Sequence, residues 1–181
     1  GGLFMGQAFS CDPSACCLVE QGKVGRFPEI RAKFYTAEIV LALEHVHSLD
    51  IIYRDLKPEN VLVDANGHVR LTDFGLSKEG VSDHSTGATS FCGTPEYIAP
   101  EVLLREGHGR AVDWWSLGAL MYEMLTGLPP FYSRNRQTMF EKILQADLQF
   151  PDFVSPLAQD FLSKVRATRN GGCRFGLLGD D

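Results

Sequence analysis

A mainly helical fold of the α+β class, with small β-hairpins set among the helices, is what this sequence predicts. Three observations carry that expectation. Four stretches repeat apolar residues at helical spacing, and three short β-branched runs lie between the first and second of them. Apolar residues make up 44% of the 181-residue chain, enough for a core of ordinary size.

In chain order, residues 1–24 predict irregular structure, punctuated by Gly1, Gly2, Gly6, Pro13 and Gly22 with no clean period. Pro28 suits a first helical position, and Ile30, Phe34, Ala37, Leu41 and His45 then recur at helical spacing, with Val40 and Leu43 beside them. The expected helix runs from Pro28 to His47 and buries that stripe. Ile51-Ile52-Tyr53, Val61-Leu62-Val63 and Val69-Arg70-Leu71 read as strands, the last two joined by a turn with Asn66-Gly67. From Ser77 to Ser90 the residues are small and polar, which predicts a long surface loop. Val112 to Leu125 is an apolar helix closed by Gly127 and Pro129-Pro130, with Trp114 and Trp115 expected in the core. Asn135 to Gln145 is another, and a last one starts from an N-cap at Ser155 with Pro156 behind it and reaches Val165. Arg169 to Asp181 is Gly-rich and shows no helical period.

Charge and cysteine usage exclude several functions. Lys and Arg number 17 against 23 Asp and Glu, a net charge of −6, which disfavours nucleic acid as a partner. Five cysteines, an odd number without zinc-ligand spacing, point to a reducing compartment, the cytoplasm or also the nucleus. Cys11, Cys16 and Cys17 lie close together but have no His nearby to complete a metal set. No apolar run reaches the ~18–20 residues of a membrane span.

The chemistry concentrates between Tyr53 and Asp73. Asp55 and Asn60 bracket a short loop after a strand, and Asp73 follows the second strand of the hairpin. A carboxylate and an amide oxygen from adjacent loops make a hard-oxygen site suited to Mg²⁺, which completes its shell with phosphate and water. A second carboxylate can orient a hydroxyl nucleophile, and Lys57 can neutralise charge on a transferring phosphoryl group. No Gly-x-x-x-x-Gly-Lys-Ser/Thr run is present, which disfavours a P-loop NTPase.

The run Tyr53-Arg54-Asp55-Leu56 with Asn60, then Asp73-Phe74-Gly75, then Ala99-Pro100-Glu101 resembles the ordered motif set of protein kinases, with Tyr in the place of the usual His. With Phe91-Cys92-Gly93-Thr94-Pro95-Glu96-Tyr97 and Asp113-Trp114-Trp115-Ser116-Leu117-Gly118, the chain resembles the AGC group of Ser/Thr kinases, leaning towards the ribosomal-S6-kinase-like branch. The resemblance is strong from Gly25 to Phe150. It implies that residues 25–181 are a kinase C-terminal lobe, ending before its last helix.

The same resemblance implies roles. Asp55 would be the catalytic base and Lys57 the phosphate-neutralising residue, with Thr94 beside them favouring Ser/Thr over Tyr. ATP and Mg²⁺ would be the cofactors: Asn60 and Asp73 would hold the metal, and Glu59, Leu62 and Thr72 would help bind the nucleotide. Ser90 would be the activation-loop phosphosite, chosen over the loop's Ser82, Ser85, Thr86 and Thr89. An upstream kinase would modify it, and Arg54 and Lys78 would face the phosphate. Glu59 and Glu123 would bind basic residues N-terminal to the acceptor in protein substrates. Asp113 would hold the catalytic loop, and Glu101 would pair with Arg174, one residue out of the family's register. His45, His47 and His68 read as structural or exposed, with no ligand role, and Cys92 reads as a small packed residue.

The chain as given shows no Gly-rich loop over the phosphates and no strand Lys paired to a helix Glu. Gly1-Gly2-Leu3-Phe4 resembles the segment just after the family's hinge, and the 20 residues between Phe4 and Gly25 exceed what the family carries there. The missing small lobe would normally cover the cleft. The expectation is therefore weak ATP binding and negligible transfer by these 181 residues alone. The rival reading is a catalytically silent, kinase-like docking module.

Overall fold

The computed structural model describes residues 16–18, 25–80 and 90–166. Two helices form its centre. Helix α1 (Glu29–Ser48) packs on α3 (Ala111–Thr126), and α5 (Pro156–Arg166) closes the other side of α3. The α3 helix is buried along most of its length. It approaches α5 so closely at Gly118 that a Cβ there would meet Val165 Cγ1 at 2.8 Å. Only glycine fits that crossing. Two shorter helices, α2 (Pro100–Leu104) and α4 (Arg136–Gln145), complete the helical set among the described residues.

The expected stripe on α1 is on the wrong face. Ile30 and Leu41 are 75% and 66% exposed, and Phe34, Ala37 and His45 also face outward. The face turned to α3 carries Ala32, Tyr35, Ile39, Val40, Leu43 and Val46. The exposed face carries Ile30, Phe34 and Leu41 among charged Arg31, Lys33 and Glu44, so two apolar stripes share the same period and periodicity selects neither. Packing against α3 makes the choice.

The strands are short. β1 (Cys16–Cys17), β3 (Val61–Val63) and β4 (Val69–Leu71) form one antiparallel sheet, and β2 (Ile51–Ile52) pairs with β5 (Lys78–Glu79) in a second. The β3–β4 register pairs Val61 with Leu71 and Val63 with Val69. The turn is not a two-residue Asn-Gly hairpin. Asp64 N donates to His68 O at 2.9 Å, the Asp64 carboxylate accepts from the backbone of Asn66 and His68, and Gly67 takes the left-handed φ of +86°. Glu38 of α1 secures the turn from outside, accepting from Val69 N at 2.7 Å and pairing with His68 Nδ1 at 2.6 Å.

Three other departures from the sequence reading are local. Residues 1–24 read as irregular, yet Cys16–Cys17 pairs with β3 and Leu18 is buried in the main core. The Ser77–Ser90 segment read as loop, yet Lys78–Glu79 is the partner of β2. The helix α2 had no expectation at all. By contrast, the cap at Ser155 is as read, its Oγ accepting from Ala158 N at 3.2 Å, whereas Asn135, read as the first residue of α4, is its N-cap, Oδ1 accepting from Thr138 N at 3.1 Å. No described helix is long and apolar enough to cross a membrane.

Candidate active site

A buried carboxylate organises the site. Asp113, at the start of α3, is fully buried. Its Oδ2 accepts from Tyr53 N at 2.9 Å and its Oδ1 from Arg54 N at 2.7 Å. His47, from the end of α1, brings Nε2 to 2.7 Å of Oδ2 and sets its ring edge-on to Trp114 at 5.1 Å. Arg54 sits at φ +68°, a conformation that costs a non-glycine residue on the order of 1 kcal/mol or more. The bond to Asp113 holds it there, and the strained step turns the chain so that Asp55 faces the cleft.

Asp55 is itself buried but richly partnered. Its Oδ2 accepts from Lys57 Nζ at 2.8 Å and from Asn60 Nδ2 at 2.9 Å, while its Oδ1 accepts from Thr94 Oγ1 at 3.0 Å. Lys57 Nζ also donates to Thr94 Oγ1 at 3.1 Å. These contacts join a turn of the chain to a residue 39 positions later. Asn60 is fixed by a second bond from Nδ2 to Asp55 O at 2.9 Å. With both bonds made by the amide nitrogen, its amide oxygen points away from Asp55.

The hairpin delivers Asp73 to the same region. Thr72 donates from N and from Oγ1 to Asn60 O, at 3.0 and 3.1 Å, and Asp73 follows immediately at φ +55°. Gly75 N donates to Asp73 Oδ1 at 3.1 Å. Tyr53 ties the two loops, its hydroxyl donating to Thr72 O and its ring lying edge-on to Phe74 at 5.1 Å. Burial first, then the charges of Asp55, Asp73 and Asp113, push the Tyr53 hydroxyl well above its ordinary pKa, so it remains a donor. Leu62 lies on the face of β3 opposite the buried Val61 and Val63 and is half-buried, as is Thr72. Among the described residues, no group of three or more His, Cys, Asp or Glu could hold a metal. The donors that fit Mg²⁺ are the exposed carboxylate of Asp73 and the amide oxygen of Asn60, two hard oxygens that leave most of the shell to phosphate and water.

Arg54 points the other way. Its Nε donates to Leu76 O at 2.6 Å and its Nη1 to Ser90 Oγ at 2.9 Å. Lys78 is close enough that both cations, after burial, lower the pKa of the buried His108. Ser82, Ser85, Thr86 and Thr89 lie outside the described residues, and so does Arg174, so its pairing with Glu101 has no geometry here.

Glu123, on α3, accepts a hydrogen bond from the Tyr97 hydroxyl. Burial raises the Glu123 pKa, Glu59 and Glu96 add to the rise, and only the Tyr97 bond opposes it. Three carboxylates therefore share one patch, with Glu96 a member that the sequence reading omitted.

Residues 14–170 match the protein kinase domain family. The chain belongs to the protein kinase domain family. Protein kinase 2 of Dictyostelium discoideum is 58% identical over 155 residues, covering 86% of this chain and 32% of that protein. Ribosomal protein S6 kinase beta of Caenorhabditis elegans is 58% identical over 141 residues, covering 78% of the chain and 26% of the relative. The human Serine/threonine-protein kinase Sgk2 is 59% identical over 140 residues, covering 77% and 38%. This protein kinase domain chain thus spans about a third of the length of such relatives, and they are kinases of the AGC type, as the motif resemblance implied.

Sequence reasoning missed several residues of this kinase domain's site. His47 reads as structural or exposed, but its partner Asp113, 66 positions away, is not legible in the sequence. Tyr53 was noted only as a replacement for His. Tyr97 carried a signal in Pro95-Glu96-Tyr97, but nothing in the sequence shows that its hydroxyl meets Glu123.

Proposed function

We propose that this chain is the C-terminal lobe, over residues 25–181, of a Ser/Thr protein kinase that transfers a phosphoryl group from ATP to a hydroxyl of a protein substrate. One observation carries the reading. Asp55 already accepts a hydroxyl hydrogen bond from Thr94 at 3.0 Å, with the Lys57 ammonium 2.8 Å from the same carboxylate. A substrate Ser or Thr hydroxyl presented there would find a base to take its proton and a cation beside the phosphoryl oxygens. The new bond joins that oxygen to the γ-phosphorus, and the bond to the β-phosphate oxygen breaks, leaving ADP.

Asn60 and Asp73 would hold Mg²⁺. The metal supplies charge neutralisation at the phosphates when bound. The Glu59–Glu96–Glu123 patch favours substrates with basic residues N-terminal to the acceptor. Arg54 on Ser90 supports phosphorylation at Ser90, where added negative charge would meet a guanidinium already in place. By themselves the 181 residues offer one wall of a nucleotide cleft, so weak ATP binding and negligible turnover follow.

The test is a Mg-ATP titration with a basic-directed peptide phosphorylation assay. One arm uses the 181-residue chain, the other the same chain joined to a relative's N-terminal lobe. Weak ATP binding that Asp73→Asn abolishes, with turnover only in the joined protein, is expected. Robust turnover by the chain alone contradicts the lobe reading. A joined protein that binds ATP but never phosphorylates favours the silent docking module.

A further inference from the structure

Besides the carboxylate patch, the chain builds a second surface of opposite charge, where Phe91 meets α4. Phe91, three residues before Thr94, is 42% exposed and packs edge-on to Phe140 of α4, with ring centroids 6.5 Å apart. The Arg136 guanidinium lies over the Phe140 ring, 5.1 Å from its centroid. Arg136 is exposed, as is Arg134 two residues earlier, and the nearby Glu141 carboxylate already accepts from Gln137. In a chain of net charge −6 this cationic edge stands out against its surroundings.

The surface is in line with the chemistry. Thr94 touches Asp55, and the chain from Thr94 to Phe91 spans at most about 10 Å. The ring contacts carry on from Phe91 to Arg136, so an extended peptide leaving the acceptor site reaches the guanidinium within about six residues. Glu59, Glu96 and Glu123 gather instead around the hydroxyl of Tyr97, three residues after Thr94.

We propose that Arg136, braced over Phe140, reads an acidic side chain on the C-terminal side of the acceptor Ser or Thr. This rests on the kinase reading above and on basic residues binding upstream. Substrates would then be dipolar, basic before the acceptor and acidic after it. Their orientation along the cleft would be fixed by charge at both ends. The ring contact matters because a guanidinium held over an aromatic face loses less rotamer freedom when it forms an ion pair than one free in solvent.

Peptide binding tests this without requiring turnover. Fluorescence anisotropy with the 181-residue chain would compare labelled peptides carrying Glu, Ala or Lys at each of the six positions after the acceptor. At one or two adjacent positions, Glu should bind about three- to fivefold tighter than Lys, with the gap closing as salt rises. Arg136→Glu should reverse that preference, a result that loss of fold cannot mimic. Arg136→Lys should keep its sign. A Glu preference that Arg136→Glu leaves intact, or no preference at any position, overturns the proposal. The same titration with the upstream basic residues changed to Ala separates the two readings. Loss of affinity there, with no downstream effect, retains the kinase substrate reading and sinks only this one.

Discussion

The two loops that frame the cleft are held in opposite ways. The turn from Tyr53 to Asn60 is anchored from below: Asp113, His47 and Asn60 are buried, and each bond in the set is satisfied by another member. The described residues from Asp73 to Gly80, with Ser90 and Phe91, are held by backbone bonds, the β2–β5 pairing and contacts to Arg54. Asp73, Phe74, Gly75, Leu76, Ser90 and Phe91 are all exposed. The groups that must not move for chemistry are thus built into the helical core. Those that meet nucleotide, phosphate or substrate stand at its surface, where an added ligand can shift them.

Asp113→Ala gives the largest effect expected of that contrast. It strips two backbone N–H groups and an imidazole of their shared acceptor and relaxes Arg54 from its positive φ. A loss of about 3–5 kcal/mol in urea unfolding is expected, against less than about 1 kcal/mol for Asp73→Asn on the exposed loop, where Asn tolerates the left-handed backbone. Equal losses for the two would break the comparison.

Two pH profiles sharpen it, with opposite signs. The His108 imidazole is held below its ordinary value of 6.5 by burial and then by Arg54 and Lys78. The unfolded chain therefore takes up the proton more readily, and stability falls as pH drops below about 6.5, at no more than about 1.4 kcal/mol per pH unit. His108→Asn should flatten that limb of the unfolding curve. Glu123 is raised above 4.5, so its contribution is complete below that pH and is lost as pH rises through the folded value. Glu123→Gln should remove this second limb. In the wild-type chain, binding of a basic peptide should lower the Glu123 pKa again, so the high-pH limb assigned to Glu123 should shift to lower pH with peptide bound, measurable by urea unfolding across pH. A limb that the peptide leaves in place would put the basic residues elsewhere.

A change of stability comparable to that of Asp73→Asn is expected away from the Mg-ATP residues, at the start of α4. Asn135→Ala removes the α4 cap and should cost about 1 kcal/mol without altering Mg-ATP binding.

What the sequence made legible followed the range of the interaction. The cap at Ser155, the β3–β4 hairpin and the run from Asp55 to Asn60 are local, within a few residues, and the local chemistry announces them. The burial face of α1 was illegible because Ile30, Phe34 and Leu41 repeat at the same spacing as the residues that face α3. The pairings at Cys16–Cys17 and Lys78–Glu79 are two residues long, too short to leave a period. The site was half legible. Motif spacing pointed to Asp55, Asn60 and Asp73, whereas the links His47–Asp113 and Tyr97–Glu123 span 66 and 26 positions and show only in three dimensions.

The most direct measurement uses Mn²⁺ in place of Mg²⁺, with ATP, on the isotopically labelled 181-residue chain, reading paramagnetic broadening of amide signals. Broadening centred on Asn60 and on Asp73 to Gly75, and lost in Asp73→Asn, is the predicted result. Broadening centred instead on Glu59, Glu96 and Glu123, and indifferent to Asp73→Asn, would contradict it.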